Sequence, residues 1–199
     1  MDMQYYQHLL IIGAVMVVVW CLTIYFWPPM LLSVYRRALL AKGFGDGPIP
    51  VNTLSTEPQA LFADPLHAPA SAPRVATTGV NHDTLLTVGW LDLSQGPLVL
   101  RVPDMDDRYY SVQFTDPLKN TNFAYVGKRA TGTQAGDYFI TRQGWKGQAP
   151  GGIKQISSPN NSVLLIGRVL VENDSDVATA YDLSRQIQLT PLSQWKPGQ

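Results

Sequence analysis

Residues 109–115 read Tyr-Tyr-Ser-Val-Gln-Phe-Thr, and their alternation decides the fold. Tyr110, Val112 and Phe114 fall on one face of an extended chain and Tyr109, Ser111 and Gln113 on the other, because successive strand side chains point to opposite faces. Working outward, short runs rich in Val, Leu, Ile, Tyr, Phe and Thr recur between clusters of Gly, Pro, Asn and Asp. They predict strands over Thr84–Leu91, Leu98–Val102, Tyr109–Thr115, Phe123–Val126, Asp137–Thr141 and Ser162–Val171, with turns at 94–97, 103–108 and 144–152. Strands this close, with no helical period between them, point to an antiparallel sandwich or barrel-like fold. Only Asp176–Ile187 reads as a helix. Asp174 or Ser175 stands ready to cap it, and Val177, Ala180, Tyr181, Ser184 and Ile187 line one side. The fold class is therefore mainly β: an antiparallel β-sandwich-like domain with one short C-terminal helix.

Upstream of this domain the text changes twice. From Asp46 to Pro73, six prolines interrupt every candidate element, which reads as an extended spacer. Leu54, Leu61, Phe62 and Leu66 let that spacer drape over a partner or over the domain itself. From Leu9 to Leu32 there is no Asp, Glu, Lys, Arg or His. About 20 residues suffice to cross a hydrocarbon core of about 30 Å, so this run predicts a single N-terminal transmembrane helix. It is too long for a cleaved signal peptide, and bulky Trp27, Met30 and Leu31 occupy the place of small cleavage-site residues. Trp20, Tyr25, Phe26 and Trp27 fit an interfacial belt, with Tyr5 and Tyr6 at the other end, while Arg36 and Arg37 reach the headgroups. Pro28-Pro29 predicts a kink or stop, after which residues 30–44 resume as a short amphipathic surface helix. The expected organisation is an anchor over 1–45, a proline-rich linker over 46–74 and a β domain over 75–199.

The chain has 199 residues, 15 Lys+Arg against 15 Asp+Glu, and only 15% charged residues. A neutral chain has no field to hold a polyanion, which argues against nucleic acid. One cysteine, inside the apolar run, excludes an internal disulfide and a thiolate metal cluster. His8, His67 and His82 are too scattered for a three-ligand zinc site. Gly127 to Gly132 has the spacing of a phosphate loop, but Thr133 stands where lysine is required, so these are turn glycines. No cofactor, metal or catalytic set is expected. The sharpest cluster is Asn81-His82-Asp83, yet adjacent residues of a strand diverge, so Asn81 and Asp83 are expected to tie the strand entrance. Tyr109, Tyr110, Asp116, Asn122, Arg129 and Trp145 sit at strand ends and turns. With Asn81 and Asp83 they form the candidate ligand-binding set, against the alternative that they close the ends of a sandwich. Arg168, inside an apolar strand, calls for a carboxylate, and Asp116 is the expected partner in a structural ion pair, with Asp92 the other choice.

Several ordered blocks carry a further resemblance: Asn81-x-Asp83-Thr84-Leu85, Trp90-x-Asp92-Leu93-Ser94-x-Gly96-Pro97, the paired tyrosines followed by Asp116, Asn122-Phe123-Ala124, Gly127-x-Arg129-x-Thr131-Gly132, and Ile166-Gly167-Arg168. From about Val75 to Leu192 the chain resembles DUF1254, a bacterial domain of unknown function. It departs from the family pattern at Leu86 and at Pro117-Leu118-Lys119. The resemblance implies a short, membrane-anchored member without the DUF1214 domain that commonly follows in longer chains, and a separate DUF1214-like chain as one partner. It also implies export. Arg36, Arg37 and Lys42 follow the span, and the positive-inside rule alone would leave the domain cytoplasmic. Weighing the two, the expectation is an inner-membrane, single-pass protein with a periplasmic C-terminal domain. Its expected role is that of a non-catalytic accessory subunit bound to membrane lipid and packed on a larger complex. The competing expectation is a periplasmic small-ligand binder or enzyme acting with a DUF1214-like partner.

Overall fold

A computed structural model describes residues 3–44, 47–59 and 83–197. The chain divides into two compact units, residues 1–37 and 38–199. The first is most of helix α1, which runs from Met3 to Lys42. This helix is long and apolar enough to cross a membrane. It passes through Pro28 and Pro29 as one element, so the expected stop and separate amphipathic helix are corrected. Each proline removes one backbone donor, a local loss that the turns on either side of a 40-residue helix bridge.

The second unit is a β-sandwich. One sheet has the strand order β1-β2-β8-β4-β5, formed by Ser55–Thr56 (β1), Thr84–Asp92 (β2), Ser162–Leu170 (β8), Tyr110–Asp116 (β4) and Thr121–Gly127 (β5). The other has the order β7-β6-β3-β9, formed by Lys154–Ser158 (β7), Gly136–Arg142 (β6), Leu98–Val102 (β3) and Gln188–Pro191 (β9). The six expected strands are present. Alternation in β4 holds: Tyr110, Val112 and Phe114 are fully buried, whereas Ser111 and Gln113 are half-buried. Leu85, Leu91 and Leu165 of the first sheet and Leu98, Leu100 and Ile140 of the second share one core. Each large apolar side chain buried there contributes about 1.5–3 kcal/mol. The sandwich is not wholly antiparallel, because β6 and β7 pair in parallel.

Three strands lie outside the sequence reading, and the largest difference concerns the supposed spacer. Asn52 donates its backbone N–H to Trp90 O and accepts the Asp92 N–H through Oδ1 at 2.7 Å. Ser55 and Thr56 then pair with Val88 and Thr87, and the Glu57 N–H reaches Leu86 O. Residues 52–57 are thus an edge of the sheet, and Leu54 packs against the core. Gly89 permits this approach: a Cβ there would lie 2.7 Å from the Thr53 carbonyl oxygen and 2.6 Å from a Leu54 methyl. Leu61, Phe62 and Leu66 lie outside the described residues.

Helix α2 spans Val177–Gln186 and buries Ala180 and Ser184. Its entrance is built differently from expectation. Asn173, not Asp174 or Ser175, supplies the side-chain cap, accepting the Ser175 N–H in a short 3-10 turn over Asp174–Asp176. Asp176 stands at the N-cap of α2 without bonding its amides, because its carboxylate is held by Arg108.

Candidate functional site

The residues singled out in the sequence separate into two groups. Asp83, Tyr109, Tyr110 and Arg129 lie where β2 and β4 begin and β5 ends. Asp116 and Asn122 lie at the far end of β4 and the start of β5. Tyr110 and Asp116 bound one strand of seven residues, so roughly 20 Å separates them at about 3.3 Å per step. They do not converge on one pocket. Asn81 and His82 lie outside the described residues.

At the first end, Asp83 is exposed and its carbonyl accepts the Val171 N–H at 2.7 Å, a strand-entrance role. The Arg129 guanidinium stands over the Tyr109 ring, 5.6 Å from its centroid, a cation–π contact at the surface. Tyr110 is buried, and its Oη has no hydrogen bond among the described residues although Thr131 and Tyr138 lie nearby. Burial pushes its phenol above the ordinary value. The Gly127 to Gly132 segment is a turn, closed by Ala130 and Thr131 amides on Gly127 O.

At the second end Asp116 is fully buried. Its Oδ1 accepts the Leu118 and Lys119 amides and its Oδ2 accepts Asn160 Nδ2 at 2.6 Å. The expected Arg168–Asp116 pair is therefore corrected. Arg168 stands opposite Ser111 and Leu86, five positions along β4 from Asp116. It is half-exposed on the outer face, with no ion pair to a carboxylate among the described residues. Asp92, the other expected partner, caps Ser94 instead. Trp145 packs edge-on against Phe139, with ring centroids 5.1 Å apart.

Asn122 belongs to a surface hydrogen-bond network. Its Oδ1 accepts Gln113 Nε2 at 2.9 Å and Thr115 Oγ1 at 2.8 Å, and its Nδ2 donates to Tyr125 Oη at 2.7 Å. This fixes the Tyr125 ring on the outer face of the hairpin, where it is 49% exposed. Leu118, in the turn between β4 and β5, is 67% exposed. Among the described residues after α1, these are the two exposed large hydrophobic side chains. Leu118 fills one of the positions where the chain departs from its family pattern, but no sequence signal showed that it is left uncovered.

Three ion pairs were not foreseen: a surface contact of Lys128 with Asp107 at 2.8 Å and two bidentate arginine pairs. Arg108 is bidentate on Asp176 and also donates to Leu170 O at 2.8 Å. Arg101 is bidentate on Asp137, both contacts at 2.8 Å. Both carboxyls are held below the ordinary range, chiefly by hydrogen bonds from their arginines. Both pairs need knowledge of register or loop packing, which no local motif carries. No group of three or more His, Cys, Asp or Glu among the described residues could hold a metal ion.

The architecture defines a β-sandwich protein headed by one long apolar helix. Residues 63–191 match the family model "Protein of unknown function (DUF1254)", and the chain belongs to that family. The fold is similar to the solved VPA0106 protein of Vibrio parahaemolyticus, at 28% identity and a TM-score of 0.58, over 76% of this chain and 34% of that one. A putative uncharacterized protein from Burkholderia cenocepacia matches at 13% identity and a TM-score of 0.38, over 60% of this chain and 31% of that one. The chain thus spans about a third of the length of these solved proteins. No curated protein matches it.

Proposed function

We propose that this protein is a non-catalytic accessory subunit, anchored in the inner membrane by α1, with its β-sandwich facing the periplasm and packed against a larger membrane complex. The observation that carries this reading is the β4–β5 hairpin. Among the described residues after α1, the exposed large apolar side chains are Leu118 in the turn and Tyr125 four positions into β5. Tyrosine is favoured at interfaces, and an exposed leucine in the turn of the same hairpin adds to the apolar area that a partner would cover. The separation of the candidate polar residues into two networks gives no support to a shared catalytic centre.

The test is crosslinking in the native membrane, followed by extraction in mild detergent and mass spectrometry. A discrete set of membrane proteins should co-purify with the wild type. Leu118→Glu, which alters only an exposed turn side chain, should lower its recovery while leaving the melting temperature unchanged. A protein that always migrates alone defeats the reading. Orientation is read from C-terminal alkaline phosphatase fusions, which should be active if the domain is exported; an inactive, stably expressed fusion puts the domain in the cytoplasm.

A further inference from the structure

The outer face of the four-stranded sheet carries a groove that the accessory role does not use. Arg101 stands opposite Asp137 of β6 on one side and Gln188 of β9 on the other. A cavity of about 500 Å³ opens over the ion pair, walled by Pro103, Gln186 and Gln188. A smaller one of about 140 Å³ shares Arg101 and Gln188 and is bounded by Thr190, Gln194 and Trp195. Together they fall within the range of small-molecule sites, roughly 300–1,000 Å³.

Trp195 is fixed before any ligand arrives. Its backbone N–H bonds Pro191 O at 3.1 Å, and its Nε1 donates to Asp137 Oδ2 at 3.0 Å. The charges are also settled within the floor. Arg101 and Asp137 neutralise each other while their side chains stay 29% and 18% exposed. Arg101 spends Nε and Nη2 on Asp137, with Nη2 also reaching Lys196 O at 3.3 Å. That leaves Nη1 as a donor and carboxylate lone pairs as acceptors. Gln186 and Gln188 add exposed amides, each a donor and an acceptor side by side.

We propose that this groove binds a neutral saccharide. A sugar presents vicinal hydroxyls, each able to donate and accept, and these match the planar pairs of Arg101, Asp137 and the glutamines. Its C–H face is apolar and suits the indole of Trp195. Arg101 and Asp137 cancel on the floor, and the exposed Lys196 adds a cation to the lining of the smaller cavity; an anion drawn to it would still meet the Asp137 carboxylate and a cation the Arg101 guanidinium, which favours an uncharged ligand. A wall already locked by hydrogen bonds loses little entropy on binding.

The experiment uses the full chain, labelled with fluorotryptophan, in an amine-oxide detergent that has no sugar headgroup. Chitohexaose, cellohexaose and maltohexaose are titrated separately to millimolar concentration, with inorganic phosphate as the charged comparison. At least one saccharide should shift the Trp195 resonance saturably, and phosphate should not. Trp195→Ala removes one resonance and so assigns the reporter. Gln188→Ala, which alters only an exposed side chain, should weaken it about tenfold, as expected for one lost hydrogen bond. The proposal is overturned if no saccharide moves the resonance of the folded protein, if phosphate saturates it instead, or if Gln188→Ala binds as wild type. The groove and the β4–β5 hairpin lie on different sheets, so either reading can fail without the other.

Discussion

Arg108 grips Asp176 with both terminal nitrogens, one contact at 2.8 Å, and thereby holds the carboxylate of the residue at the N-cap position of helix α2 away from the helix amides. The same arginine donates to Leu170 O, and Asp176 Oδ2 accepts the Glu172 N–H at 3.0 Å. One pair therefore joins the loop before β4, the end of β8 and the start of α2. Charge-assisted bidentate contacts are the strong class of hydrogen bond, and both side chains here are only 13% exposed. Arg108→Ala should cost about 2–3 kcal/mol in urea unfolding, since it leaves a mostly covered carboxylate without its partner. Adding Asp176→Ala should cost little more, because the two residues act as one unit. Additive losses would show that the pair is not coupled.

Stability should fall at both pH extremes of the carboxylate range, for opposite reasons. Asp137 and Asp176 are lowered by their arginine hydrogen bonds. Their contribution is present above the unfolded value of about 3.9 and is lost as pH drops through the lower folded values. Glu57 runs the other way. It is buried and raised by desolvation, partly offset by the Leu86 amide. Its contribution is complete below the unfolded value, about 4.3, and is lost as pH climbs through the folded one. Urea midpoints across this range should show an acid limb that is weakened in Asp176→Asn. They should also show an upper limb that is flattened in Glu57→Gln. An upper limb unchanged by Glu57→Gln would assign it to another group.

Asp116 should behave as a structural anchor. Asp116→Ala strands two backbone amides and the Asn160 Nδ2 in a buried turn and should cost about 3 kcal/mol. Asp116→Asn keeps one acceptor for the amides but sets a second amide donor against Asn160, so its cost should be smaller, about 1 kcal/mol. Thermal melts compare the two; equal losses would mean that the negative charge, not the count of acceptors, stabilises the turn.

What was legible in the sequence follows from how local each signal is. Alternation in 109–115 fixed β4, and the apolar run fixed α1, because each pattern is complete within a few turns or residues. β9 escaped because it has four residues and ends on Pro191, and β7 because Lys-Gln-Ile-Ser-Ser shows one apolar position. The pairings of Arg101 with Asp137 and of Arg108 with Asp176 span 36 and 68 residues. Side chains that distant meet only once register is known, and Arg168 shows the reverse error. An arginine in an apolar strand implied a buried partner, but it lies on a face that water reaches.

Gly89 tests whether residues 52–57 belong to the domain or only pass by it. The glycine sits inside β2, where a side chain would ordinarily add packing, and glycine in a strand interior marks a close backbone approach. Here the approach is that of Thr53 and Leu54. The Leu54 methyl could swing aside, but the Thr53 carbonyl oxygen is backbone and could yield only by moving the whole segment. Gly89→Ala should therefore cost about 1–3 kcal/mol, the usual penalty for overpacking. The loss should appear first as faster amide exchange at Glu57, whose N–H bonds Leu86 O, while β4 and β8 keep wild-type protection. Faster exchange spread evenly over both sheets would mean that Gly89 serves the core, and that the 52–57 edge is not a separately docked piece.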